Sequence, residues 1–209
     1  RRFYFNDRLN RSFVFVFIFI FFLNFIFLLL DYINLIDESF FLYGWLDVNG
    51  EFNPPAFFNG LLFIGVVYRV GLILKDFTLG FWEKWGWSII MVVFLFLCFD
   101  EVFQIHENQP EFLKLNNVNW FKYYLIALAF ISVPCIPLFF KLPSSIKGLF
   151  ILSAVMFIGG AVGLEYIANT FANLKMWKLY RIFTYIEEFM EMLGLITFNA
   201  TLVKHRISN

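Results

Sequence analysis

The run "SFVFVFIFIFFLNFIFLLL", Ser12–Leu30, holds no charged residue and one asparagine. A transmembrane helix needs about 20 mostly apolar residues, and this stretch meets that need alone. Five more segments do the same: Ala56–Leu74, Trp87–Glu107, Trp120–Phe140, Ile146–Phe171 and Ile182–Val203. Polar or turn-forming stretches separate them, among them "DVNGEFNPP", "KDFTLGFWEKWG" and "NLKMWKLYR". Of the 209 residues, 61% are hydrophobic and 33 are Phe. A water-soluble domain of this size lacks the interior volume to hide them; lipid removes that limit. The expectation is an all-α integral membrane protein, a bundle of about six transmembrane helices, forming a single domain over residues 1–209.

The opening "RRFYFNDRLNR" has the charged character of a signal peptide. The apolar stretch behind it is too long for one and no small-residue cleavage site follows, so it reads as a retained first span. Pro134 and Pro137 are expected to kink the fourth span. "GGAVG" in the fifth offers small residues for close helix approach. Cys98 and Cys135 lie in apolar runs and read as free thiols. With 16 basic and 16 acidic residues the net charge is zero, and nothing points to a nucleic-acid partner.

Orientation follows from the basic residues flanking the spans. Arg1, Arg2, Arg8, Arg11, Lys75, Lys84, Lys141, Lys147, Lys204 and Arg206 gather on one side. The connection "DYINLIDESFFLYGWLDVNGEF" on the other has no Lys or Arg. Both termini are therefore expected in the cytoplasm of a multi-pass inner (plasma) membrane protein. Lys175, Lys178 and Arg181 run against the trend. Trp45, Trp120 and Trp177 fall near the outer ends, and Trp82, Trp85 and Trp87 near the inner ones, as an interfacial aromatic belt would.

That topology brings the acids to one depth. Asp100, Glu101 and Glu107 close the third span at its outer end, with His106 among them. Glu165 lies near the outer end of the fifth, and Glu187, Glu188 and Glu191 open the sixth. Glu51 precedes the second span. Asp100, Gln104 and Glu107 share a helix face, as do Glu187, Glu191 and Gly194; His106 is rotated away. Each carboxylate at mid-membrane costs about 2.5–3.5 kcal/mol on insertion scales, less near the interface. Neutralisation must come from protons, cations or water. His106, Arg181 and Lys114 are the basic candidates at that depth, while Arg69 is placed to snorkel toward the cytoplasm.

Carboxylates with His suit a divalent metal, Fe, Mn or Zn. The candidate ligands are Asp100, Glu101, His106, Glu107, Glu165, Glu187, Glu188 and Glu191. The Glu-x-x-His spacing of di-iron bundles is absent, since Phe103 stands three before His106. The bland readings remain beside this one: helix-helix hydrogen bonds for Asp100 and Glu107, helix-dipole contacts for Glu187 and Glu188, and an inter-helix bridge for Asn199.

At "DVNGEFNPPAFFNGLLF", "CFDEVFQIHE" and "EEFMEMLG" the chain resembles an uncharacterised class of bacterial multi-pass membrane proteins, with DExxxxHE and EExxEMLG elements. The resemblance implies that Glu51, Asp100, Glu101, His106, Glu107, Glu187, Glu188 and Glu191 form one polar set; it implies no activity. Three functions stay open. One is an integral or accessory subunit of a larger membrane complex, with other membrane-protein subunits and the bilayer as partners. The others are a membrane metalloenzyme and a proton or cation transporter.

Overall fold

The computed structural model describes residues 2–33, 35, 41–48, 50, 52–103 and 120–208. Among these the chain is helical, without strands. In an apolar solvent a helix satisfies every backbone donor within its own segment, which is why such runs adopt it. The order is α1 (Arg2–Tyr32), α2 (Phe41–Leu46), α3 (Pro54–Leu74), α4 (Phe81–Phe103), α5 (Trp120–Ser132), α6 (Ile136–Lys141), α7 (Ser144–Ile158), α8 (Glu165–Asn173) and α9 (Trp177–Ser208). A 3-10 turn, Val133–Cys135, joins α5 to α6, and a π-helical segment, Gly159–Leu164, joins α7 to α8.

Among the described residues four helices are long and apolar enough to cross a membrane: Arg8–Tyr32, Pro54–Leu74, Phe81–Glu101 and Ser144–Asn173. They match the first, second, third and fifth expected spans. The fourth is divided at Val133–Cys135, where Pro134 and Pro137 interrupt the hydrogen-bond ladder, leaving a shorter apolar stretch, Ile126–Lys141. The sixth lies within α9, whose 32 residues extend about 48 Å at 1.5 Å per residue. It is long enough, but its Glu187, Glu188 and Glu191 lower its apolar character. That polarity suits its position: α9 packs against α1, α3, α7, α8 and the π-helical segment, so protein surrounds much of it.

Two apolar clusters fill the interior, one at each end. The first joins Phe13, Phe17, Ile20 and Phe21 of α1 to Phe58, Leu62 and Phe63 of α3 and to Met192, Leu195 and Ile196 of α9. The second joins Val66, Val70, Trp87, Leu138, Ile146, Phe198 and Leu202. Much of the α1–α9 seam is aromatic. Phe17 and Phe21 each lie 5.2 Å from Phe189, ring centre to ring centre, and the Tyr185 hydroxyl donates to the Phe21 carbonyl at 2.9 Å. The lipid-facing side of α1 exposes Phe15, Ile18, Phe19 and Phe22. Cys98 and Cys135 are free thiols.

Polar fasteners mark the two ends. At one, Arg181 pairs with Asp31 at 2.6 Å, and Lys178 donates to the Tyr32 carbonyl at 3.2 Å. At the other, Arg69 is only 2% exposed; it donates to Asn199 Oδ1, to Asn10 Oδ1 at 2.8 Å and to the Gly65 carbonyl at 3.1 Å. Arg69 thus does not snorkel outward. The Asn199 and Asn10 carbonyls hold its guanidinium inside, beside the Phe13 ring. Asn199 also donates to the Leu62 carbonyl at 3.1 Å, the inter-helix bridge its position suggests. Trp87 departs from the expected belt as well: 1% exposed, its ring centre lies 5.4 Å from that of His205. Trp45, Trp82, Trp85 and Trp177 are exposed, while the Trp120 side chain lies outside the described residues.

Glycines set the approach of α7 to α9. A Cβ on Gly194 would lie 2.7 Å from the Phe157 backbone nitrogen; one on Gly160 would lie 2.9 Å from the Glu187 carbonyl oxygen. Gly159, from the same "GGAVG" motif, faces nothing within 4 Å. Gly194→Ala is therefore expected to destabilise the bundle by about 1–3 kcal/mol, the usual cost of overpacking, whereas Gly159→Ala is not. Thermal unfolding of the two variants in one detergent checks this; equal midpoints would contradict the packing.

Candidate functional site

The first wall of the site is the loop before α3. Asn53 caps that helix, its Oδ1 accepting from the Ala56 N–H at 3.0 Å, with Pro54 and Pro55 in the first turn where no amide donor is needed. Its Nδ2 donates to the Asp47 carbonyl at 2.6 Å, and the Gly50 N–H donates to that same carbonyl at 2.9 Å. A Cβ on Gly50 would meet Asn53 Nδ2 at 2.5 Å, so any larger residue there must displace the Asn53 amide. Asn24 of α1 ties the loop down, its Oδ1 accepting from the Val48 N–H at 3.1 Å. These bonds hold Asp47 at the mouth of the bundle.

Asn59 stands further along α3 and is 1% exposed. Its Nδ2 donates to Glu101 Oε1 of α4 at 3.0 Å, while its Oδ1 has no hydrogen-bond partner. Opposite, the Gly160 contact seats the π-helical segment on the Glu187–Glu191 turn of α9. Glu165 follows directly as the first residue of α8. Glu187 is buried, and Glu188 and Glu191 are half-buried.

Electrostatic coupling links the carboxylates across these elements. Glu188 is within electrostatic reach of Glu191, Glu101, Asp47 and Glu165. Glu191 is within reach of Glu187, Glu101 and Glu165, and Glu187 of Glu188 and Glu165. Acids from the loop before α3, from α4, from α8 and from α9 thus share one end of the bundle. Thr184, one turn before Glu187 and Glu188, is 5% exposed, and its hydroxyl has no hydrogen-bond partner.

Of the eight nominated residues, Glu101, Glu165, Glu187, Glu188 and Glu191 converge here. Asp100 is half-buried beside Glu101 on α4, and Glu101 is the α4 acid coupled electrostatically to Glu188 and Glu191. His106 and Glu107 lie outside the described residues, as do Gln104, Glu51 and Lys114. Arg181, a candidate counter-charge, is engaged by Asp31. Among the described residues no cation pairs with Glu187, Glu188 or Glu191, and no group of three or more His, Cys, Asp or Glu is arranged to hold a metal ion.

Two members escaped the reading of the sequence. Asp47 stood in "DVNGEF" beside the more conspicuous Glu51. Asn59 was the single polar residue in "AFFNGLLF", and a buried amide in an apolar run must find a partner, which was the available signal. A family model described as a domain of unknown function, DUF8692, matches residues 13–205. No curated protein and no solved structure matches the chain.

Proposed function

We propose that this chain, which belongs to the DUF8692 family, is a polytopic inner-membrane protein that handles protons or cations through its carboxylate cluster. The observation carrying the proposal is the meeting of Asp47, Glu101, Glu165, Glu187, Glu188 and Glu191 where no described cation pairs with the three acids of α9. Like charges drawn from water into a bundle demand neutralisation. Intramembrane carboxylates of this kind serve proton relays and ion pathways, and a π-helical segment of the type packed against them is frequent at functional sites.

In this reading α5–α6 and α9 complete six crossings, the basic ends face the cytoplasm and the cluster opens outward. A second reading, an accessory subunit of a larger membrane complex, draws support from the short connections Leu142–Pro143 and Leu174–Met176 among the described residues.

Infrared titration of the protein in nanodiscs tests the cluster. The expected result is a carboxylic-acid C=O band that disappears with rising pH and is reduced in the Glu188→Gln/Glu191→Gln variant. An identical titration in wild type and variant would remove the cluster from the function. Stoichiometric Fe, Mn or Zn in the same preparations would favour the metalloenzyme instead. Topology is checked separately in a background lacking Cys98 and Cys135. A membrane-impermeant maleimide should label Asn173→Cys on intact cells and Asp76→Cys only after permeabilisation; the opposite pattern would invert the orientation.

A further inference from the structure

We infer that Asn59 is the positioning residue of a proton site: its side-chain carbonyl takes the hydrogen of a protonated Glu191, while its amide nitrogen holds Glu101. The inference rests on the proton- or cation-handling reading and narrows the cargo to a proton.

An acidic cluster alone does not specify a ligand. Asn59 adds an independent observation. It is 1% exposed, its Nδ2 donates to Glu101 Oε1 at 3.0 Å, and its Oδ1 is buried without a partner. Buried polar atoms are nearly always paired. An amide oxygen can only accept, so what it lacks is a hydrogen donor. An ionised carboxylate is acceptor-only, whereas a protonated one supplies an O–H.

The packing selects Glu191 as that donor. Helix α3 lies against α9, and Phe58, Leu62 and Phe63 share one cluster with Met192, Leu195 and Ile196. The bond from Asn199 to the Leu62 carbonyl keeps the same register further along. Asn59, between Phe58 and Leu62, therefore falls at the level of the turn that starts at Glu191. Glu191 is also within electrostatic reach of Glu101, the acid that Asn59 holds.

The charged groups around Glu191 are Glu187 and Glu188 on its own helix, Glu101 of α4 and Glu165 of α8. Asp100 stands beside Glu101, and Asp47 reaches Glu188. Arg69 and Lys147, the charges of α3 and α7, lie toward the other ends of those helices, and Ser12–Leu30 of α1 has none. A buried charge without a partner is relieved by neutralisation. One proton on Glu191 eases the repulsion among these acids and satisfies the Asn59 oxygen together. On loading, a hydronium ion at the mouth of the bundle gives its proton to a Glu191 oxygen and leaves as water. On release the proton returns to water, the electron pair stays on the carboxylate, and Asn59 Oδ1 loses its donor.

Infrared titration of the purified full chain in nanodiscs reads this bond. The carboxylic-acid C=O band that Glu191→Gln removes is followed in wild type and in Asn59→Leu. In Asn59→Leu that band should change wavenumber and its midpoint should fall by about one pH unit, the size of one hydrogen bond. An unchanged wavenumber and midpoint overturn the inference. A second comparison leaves Asn59 intact: Glu191→Gln carries a permanent N–H donor for its oxygen, and Glu191→Leu carries none. The thermal midpoint should be higher for Glu191→Gln than for Glu191→Leu; an equal or reversed order counts against the bond. A Glu188/Glu191-dependent titration that ignores Asn59 would leave the protonatable cluster standing and remove the positioning role. No such titration in wild type would remove both.

Discussion

A helix bearing three carboxylates within five residues cannot lie against hydrocarbon, and most of this architecture follows from that constraint on α9. Lipid offers no hydrogen bond and no counter-charge, so the Glu187–Glu191 turn has to be enclosed by other helices. The enclosure depends on close approach. Gly160 brings the π-helical segment onto the Glu187 carbonyl, and Gly194 admits the Phe157 backbone one layer deeper. On the opposite flank, α1 supplies a seam of phenylalanine rings and the Phe21 carbonyl that receives the Tyr185 hydroxyl. The outward faces of α1, α3 and α4 remain apolar because α9 carries the polarity inside.

This arrangement gives the bundle two chemically distinct ends. Acids from four elements meet around Glu188, while the guanidinium of Arg69 is held by Asn199, Asn10 and the Gly65 carbonyl. Glu187 and Asn199 are separated along α9 by about 18 Å, at 1.5 Å per residue. Between them lie Met192, Leu195 and Ile196, buried in the first apolar cluster. The buried positive charge is therefore too distant to neutralise the buried negative ones. Asparagine carbonyls serve Arg69 locally, and the Asn59 amide nitrogen donates to one oxygen of Glu101.

How much of this was legible in the sequence depends on the physics behind each feature. Four helices long and apolar enough to cross a membrane, and the proline break at Val133–Cys135, follow from apolar length and from missing donors, both local properties. The shared depth of Glu101, Glu165 and Glu187–Glu191 followed from counting spans. What failed needed knowledge of neighbours. Arg69 looked placed to snorkel because its distance from the helix end suggested it; Asn199 and Asn10, 130 and 59 residues away, keep it inside. Trp87 looked interfacial by position, yet it faces His205. Glu101 is fixed by its bond to Asn59, a partner 42 residues away that no helical stripe announces. Asp47 enters only through a turn that Gly50 and Asn53 close.

The central claim is that the end of α4 meets the acidic turn of α9. Intramolecular cross-linking with a short bifunctional thiol reagent, in a background lacking Cys98 and Cys135, measures this directly. Glu101→Cys paired with Glu191→Cys should cross-link within one chain, and Glu101→Cys paired with Lys204→Cys, at the far end of α9, should not. Efficient cross-linking of the second pair and none of the first would contradict the account.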